Sequence, residues 1–174
     1  MPILFSAIAL SRVVLEKFAT CDGNFEDIAE EVVSKIPVCD NKLTYSHGRY
    51  LLHYIKEVEC VFFCITDRTC QRSRAFFFLN EIRRQYEKNG SDIAKILAHE
   101  MYRYNEDYGT IVIRSGELEE LNSIGVESSE CILGEKMLFV ENDHNLRYTT
   151  TSYTDAPQTV EVSEDDLLTQ SNDC

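Results

Sequence analysis

Apolar residues recur along this chain at different periods, and those periods sketch its elements. Residues 3–10 and 12–19 are two apolar runs split by Ser11-Arg12. Both are rich in Ile, Val, Leu and Phe, which suits strands. The first run is apolar at nearly every position, as expected of a central strand covered on both faces. Cys21-Asp22-Gly23 reads as a turn. Asn24 then stands where a helix N-cap should, with Asp27 three residues on as an approximate capping box. Phe25, Ile28, Val32 and Ile36 follow at helical spacing, Ala29 and Val33 widen the stripe, and Pro37 ends it. The period then changes to two. Residues 42–46, 49–56 and 59–66 read as three strands on short turns, an antiparallel meander. Residues 61–65 are apolar on both faces, so helices are expected on both sides of the sheet. A helix over 72–88 supplies one layer, with Ala75, Leu79, Ile82 and Tyr86 as its stripe, Phe76 and Phe78 beside it and Gly90 at its C-cap. A shorter helix over 91–105 carries Ile93, Leu97 and Met101.

The pattern weakens after Glu106. Residues 109–113 read as a short strand or a linker, and 117–126 as briefly helical through Leu118, Leu121 and Ile124. Gly125 and Gly134 interrupt any long helix, at ~1 kcal/mol each relative to Ala. Residues 137–140 are an isolated apolar cluster, and 149–174, rich in Thr, Ser and acid, are expected to be disordered.

Charge sharpens this division. Residues 1–105 hold 14 acids and 14 bases, whereas 106–174 hold 16 acids against Arg114, Lys136 and Arg147, so the net charge of −13 belongs to the last part of the chain. Nucleic acid is excluded as a partner, because phosphate binding needs clustered positive charge. No apolar run approaches the ~18 residues that span a bilayer, and residues 2–10 read as a strand and not a signal peptide. Seven cysteines, an odd number without CxxC spacing, read as reduced thiols. Arg72, Arg74, Arg83, Arg84 and Lys88 read as a solvated helix face. His47 lies in a turn and His53 among tyrosines, neither beside a nucleophile or ligand set, so no catalytic residue, metal or cofactor is expected.

Several multi-residue words now stand in order: Ile3-Leu4-Phe5, Cys21-x-Gly-Asn-Phe25, Lys35-Ile36-Pro37, the run from Asn41 to Gly48, His53-Tyr54-Ile55, the run from Cys64 to Asp67, and the run from Arg72 to Ile82. The series resembles the longin domain of R-SNAREs of the tetanus-insensitive vesicle-associated membrane protein family, closely over residues 1–88. The resemblance implies an α+β, profilin-like fold: a five-stranded antiparallel sheet with one helix on one face and two on the other. It divides the chain into a longin domain (1–105), a degenerate SNARE-like segment (106–148) and an acidic tail (149–174). Residues 116–121, 134–136 and 145–146 resemble pieces of the SNARE helix. Its central arginine would fall near Glu135, however, and its heptads are broken by glycine.

The implied role is non-enzymatic, in vesicle-mediated transport on endosomal, lysosomal or secretory vesicles, with a cytoplasmic, peripheral location and no transmembrane segment. SNARE proteins and trafficking adaptors would bind a groove between the first helix and the third strand. Ile28, Val32 and Ile36 would form its helix wall, and Leu43 and Tyr45 its strand wall. Tyr45 matches a phosphorylation switch. The chain's own SNARE-like segment, anchored by Leu118, Leu121 and Ile124, is the expected intramolecular occupant. The alternatives are a working R-SNARE in membrane fusion and a longin- or profilin-like small-GTPase regulator. In the tail, Glu161, Glu164, Asp165 and Asp166 are placed to meet Arg83, Arg84 and Lys88, and residues 164–168 resemble an acidic dileucine word.

Overall fold

The computed structural model describes residues 3–90, 92–106 and 111–141. The expected disorder and the acidic words of the tail fall outside the described residues. The chain divides into two compact units, Met1–Leu138 and Phe139–Cys174, and the described helices and strands all lie in the first.

The two opening apolar runs form a hairpin, β1 (Ile3–Leu10) and β2 (Val13–Ala19). Ser11 and Arg12 make its turn, both with positive φ, the conformation of tight hairpins. The turn also serves the next element. The Arg12 guanidinium donates to Val33 O and Ile36 O at 3.0 and 3.1 Å, capping the end of α1 (Phe25–Lys35). The meander follows as β3 (Asn41–His47), β4 (Tyr50–Glu57) and β5 (Cys60–Asp67), and then α2 (Arg72–Asn89) and α3 (Ile93–Glu106). These bounds lie within two residues of those the sequence pattern gives.

β1 pairs antiparallel with both β2 and β5, which leaves it central and buried from Ile3 to Ala9. On one face, Phe5 stacks on Phe25 of α1 at 5.3 Å between ring centres and meets Phe63 edge-on. On the other, Ile8, Ile55, Phe62 and Cys64 join Ala75, Phe76, Phe78, Leu79 and Ile82 of α2 and Leu97, Met101 and Tyr104 of α3 in one core. This is the expected arrangement of one helix on one face and two on the other.

The sheet departs from expectation in having a sixth strand. Residues 117–126 were expected to be briefly helical. Only Glu117–Glu120 (α4) is α-helical, and a 3-10 turn, Leu121–Ser123, follows it. β6 (Gly125–Ser128) then joins the sheet beside β3, giving the order β2-β1-β5-β4-β3-β6. A last turn of helix, α5 (Glu130–Leu133), ends at Gly134. Of the two glycines that interrupt a SNARE helix, Gly134 serves another backbone need, whereas Gly125 stands in ordinary contact with β3. A Cβ on Gly125 would lie 3.4 Å from Leu43 Cδ1. Gly134 has φ 60° and ψ −122°, a region nearly closed to residues with a Cβ.

Replacing Gly134 by Ala should therefore strain the exit from α5 by about 1–3 kcal/mol. Amide exchange over residues 129–138 is expected to accelerate while that of β1 and β5 stays unchanged. Equal protection in both proteins would remove Gly134 from this account.

Candidate groove and its clasp

The residues expected to line a groove lie on the same face of the sheet. Ile28, Val32 and Ile36 lie on the inward face of α1 and are buried. Leu43 and Tyr45 project from β3 on the α1 side of the sheet, Leu43 half-buried and Tyr45 buried. Tyr45 stacks on Tyr54 at 6.1 Å and shares a hydrogen bond with it, and Asn41 Nδ2 donates to the Tyr54 hydroxyl at 2.8 Å. Burial, with Tyr54, Cys131 and Glu127 close by, pushes the Tyr45 phenol far above its ordinary value.

What covers β3 is the chain's own later segment. Residues 125–128 run parallel to residues 43–46 in the register Leu43 with Gly125 through Ser46 with Ser128. The Ser129 N–H donates to Ser46 O at 3.0 Å and extends the ladder. The approach to β6 lies on the α2 side. There Glu117 is buried, with one carboxylate oxygen accepting from Asn80 Nδ2 at 3.0 Å and Arg84 Nη1 at 3.2 Å. Its other oxygen accepts the Arg114 N–H at 2.8 Å. Lys42 meets Glu120 at 2.7 Å, and Arg72 Nη2 donates to Ile124 O at 2.9 Å. Much of the basic face read as solvated on α2 is thus engaged. Ile124 enters the α2–α3 core and Leu121 packs at its margin, whereas Leu118 is 54% exposed. The three residues expected to anchor the α1–β3 groove therefore do not fill it. Beyond the strand, the buried apolar side chains among the described residues are those of Ile132, Leu133 and Leu138.

On the α1 side the segment is clasped by polar contacts. His47 is buried, with Nδ1 2.7 Å from Ser129 Oγ, and its Nε2 accepts the Leu138 N–H at 3.0 Å. A nitrogen that accepts an N–H carries no proton, so the proton of neutral His47 sits on Nδ1 and is donated to Ser129. This tautomer cannot take the serine proton, so the pair is a structural link and not a nucleophile with its base. Asn24 occupies the N-cap position of α1 but makes no capping bond with its side chain. Its Nδ2 donates to Met137 O at 2.9 Å instead. Asp27, expected to complete the capping box, meets Lys136 at 3.2 Å, and Glu31 meets the same lysine at 3.6 Å.

His53 lies on the opposite face, with Thr44 Oγ1 at 2.9 Å and Thr66 Oγ1 at 3.0 Å from its two nitrogens. Burial, reinforced by Arg72, holds it neutral down to about 3. Among the described residues, no group of His, Cys, Asp and Glu is placed to hold a metal ion. Among the described residues no disulfide is formed, and no described helix is long and apolar enough to cross a membrane. No role was expected of Glu117, Ser129, Lys136 or Leu138. Glu117 and Lys136 stood only within words that resemble the SNARE helix, Leu138 only within the apolar cluster over 137–140, and Ser129 within none.

A helix on one face of an antiparallel sheet and two on the other define a longin-type domain. Comparison with known families agrees: the longin family model, described as a regulated-SNARE-like domain, matches residues 15–110. Vesicle-associated membrane protein 7 of Gallus gallus is 36% identical over 164 residues, covering 84% of this chain and 74% of that protein. The Homo sapiens protein of the same name is 35% identical with the same coverage. Vesicle-associated membrane protein 7B of Dictyostelium discoideum is 29% identical over 108 residues, covering 62% of this chain and 41% of that protein. The chain belongs to the longin family, with relatives among the vesicle-associated membrane protein 7 R-SNAREs, and is a longin-domain protein of vesicle transport.

The clasp titrates. Burial pushes His47 below its ordinary 6.5, so the docked form binds fewer protons than the released one. Its contribution is complete above about pH 6.5 and is lost as pH falls through the lowered docked value. Exchange of the Leu138 amide, corrected for the intrinsic rate, should therefore accelerate on acidification. His47→Ala should exchange fast at every pH. A wild-type Leu138 amide indifferent to pH would contradict the assigned tautomer.

Proposed function

We propose that the groove between α1 and β3 is a regulatory interaction site, held by residues 111–138 until a SNARE helix or a sorting adaptor replaces them. The in-register pairing of residues 125–128 with β3 carries this reading. It occupies the sheet edge beside Leu43 and Tyr45 that an incoming partner would need. Release would free that edge together with the α1 side beside Ile28, Val32 and Ile36. Leu121 and Ile124 would secure the segment on the α2 side, and Ile132, Leu133 and Leu138 near α1.

Tyr45 fits a switch in this scheme. Its ring is buried and its hydroxyl is engaged with Tyr54. A phosphate there would set two negative charges beside Glu127 and oppose docking. The expected setting is the cytoplasmic side of endosomal, lysosomal or secretory vesicles, in peripheral association. The alternatives of a working fusion R-SNARE and a small-GTPase regulator are not favoured. A fusion bundle needs an unbroken apolar seam, and here the corresponding stretch turns at Gly134.

Opening the clasp should raise partner affinity, because a partner binds only the fraction of molecules with a free groove. Ile132→Ser with Leu133→Ser is expected to raise capture of SNARE helices or adaptor peptides by about tenfold or more. Adding Leu43→Ser and Tyr45→Ser to that chain should abolish the gain. Capture that ignores the first pair of changes would refute self-occupation, and capture that ignores the second would refute the groove.

A further inference from the structure

Ser129 is the residue on which the crossing from the sheet edge to α1 turns. Its N–H continues the ladder to Ser46 O, and its Oγ accepts from His47 Nδ1 at 2.7 Å. The residue is 7% exposed. The cavity beside it, about 880 Å³, is lined by Ser46, Gly48, Ser128 and Met137, and its charged side chains are the carboxylates of Glu130 and Glu135. In sequence, Ser129 lies in Glu127-Ser128-Ser129-Glu130, with carboxylates two residues before and one after it.

We propose that Ser129 is a phosphoacceptor, and that its phosphorylation excludes residues 125–138 from β3 and holds the groove open. This rests on the proposed function, in which the segment occupies the groove reversibly. In the docked chain the hydroxyl is buried, so it becomes a substrate only after release. A kinase then moves the γ-phosphoryl group of a nucleoside triphosphate to Ser129 Oγ. The O–P bond forms as the bond to the departing nucleoside diphosphate breaks, and the hydroxyl proton passes to the kinase's base.

Redocking then fails on two counts. The phosphate returns beside the Glu130 and Glu135 carboxylates, and like charges repel. A phosphate dianion against His47 also favours the imidazolium, which has no lone pair left for the Leu138 N–H. One covalent change thus removes the acceptor of the Leu138 N–H and crowds the crossing with negative charge. Modification follows opening and prevents closing, which makes it a ratchet.

The neighbouring Ser128 supplies the control. It is exposed and lies opposite Ser46, whose hydroxyl accepts from the Arg68 guanidinium. The Ser128 Oγ accepts the Glu130 N–H at 3.2 Å and makes no contact with His47, so a phosphate there leaves both His47 hydrogen bonds in place.

The test uses the full chain with phosphoserine incorporated at position 129 or, separately, at 128, and reads amide exchange at Ser129 and Leu138. Phosphoserine at 129 is expected to speed both amides by about tenfold or more, since each loses its acceptor. Phosphoserine at 128 should change them by less than about threefold, the scale of a surface charge. A second arm offers nucleoside triphosphate and an acid-directed kinase to wild type and to Ile132→Ser/Leu133→Ser, with site mapping by mass spectrometry. Faster incorporation at Ser129 in the opened chain is expected. Protection of both amides unchanged by phosphoserine at 129 overturns the proposal, as does an opened chain that gains no phosphate there. An unmodified wild type whose Ser129 and Leu138 amides exchange freely instead overturns the occupied-groove reading beneath it.

Discussion

The outer edge of β3 is the constraint on which the rest of this molecule depends. An edge strand presents unpaired backbone donors and acceptors that some other strand or solvent must satisfy. Here residues 125–128 satisfy those of residues 43–46, and they do so in parallel. A parallel partner must enter at the Leu43 end and leave at the His47 end. The chain leaves α3 on the other face of the sheet, so it has to return along α2 before it can pair. That route puts Glu117 against Asn80 and Arg84, Glu120 against Lys42, and Ile124 beneath Arg72 before the strand begins. The exit delivers residues 129–138 to the start of α1, where His47, Asn24 and Asp27 receive them.

Most of the first hundred residues could be read from periodicity. β1 and β5 are covered on both faces and read as continuous apolar runs, and the α1 stripe from Phe25 to Ile36 is the one that packs on the sheet. The walls of the proposed groove were legible in part. Ile28, Val32 and Ile36 fall out of helical spacing, whereas Leu43 and Tyr45 were singled out only through family resemblance. β6 was not legible. Its four residues are exposed and include a glycine, so nothing in their own pattern demands a strand; the waiting edge of β3 makes them one. Asn24 failed for a related reason. Spacing located the helix start correctly, but the side chain that local chemistry assigns to capping was drawn to Met137 O, 113 residues away. Contacts between residues 82 and 91 apart, such as those of His47 with Ser129 and Leu138, leave no trace in spacing.

Apolar and polar contacts do different work in this clasp. Ile124, Ile132, Leu133 and Leu138 remove apolar surface from water, which favours docking without fixing its register. Register matters here, because a slip of one residue in a strand turns every side chain to the opposite face. Glu127 would then leave the Tyr45 side, and Val126 would take its place. The polar groups forbid such a slip. His47 offers one acceptor and one donor at fixed positions, and only Ser129 Oγ and the Leu138 N–H meet both. Glu117 does the same at the other end, since a carboxylate shifted by one residue would leave Asn80 Nδ2 buried and unpartnered.

Net hydrogen-bond energies are small in water, whereas an unmet buried donor is costly. Such contacts therefore exclude wrong registers more than they strengthen the right one. A segment held this way is held specifically, and its polar contacts add little to the strength of docking. Replacing His47 by an apolar residue of similar size would keep much of the burial and lose the discrimination. The sheet edge would then accept the segment in more than one register, with Tyr45 covered in some and bare in others.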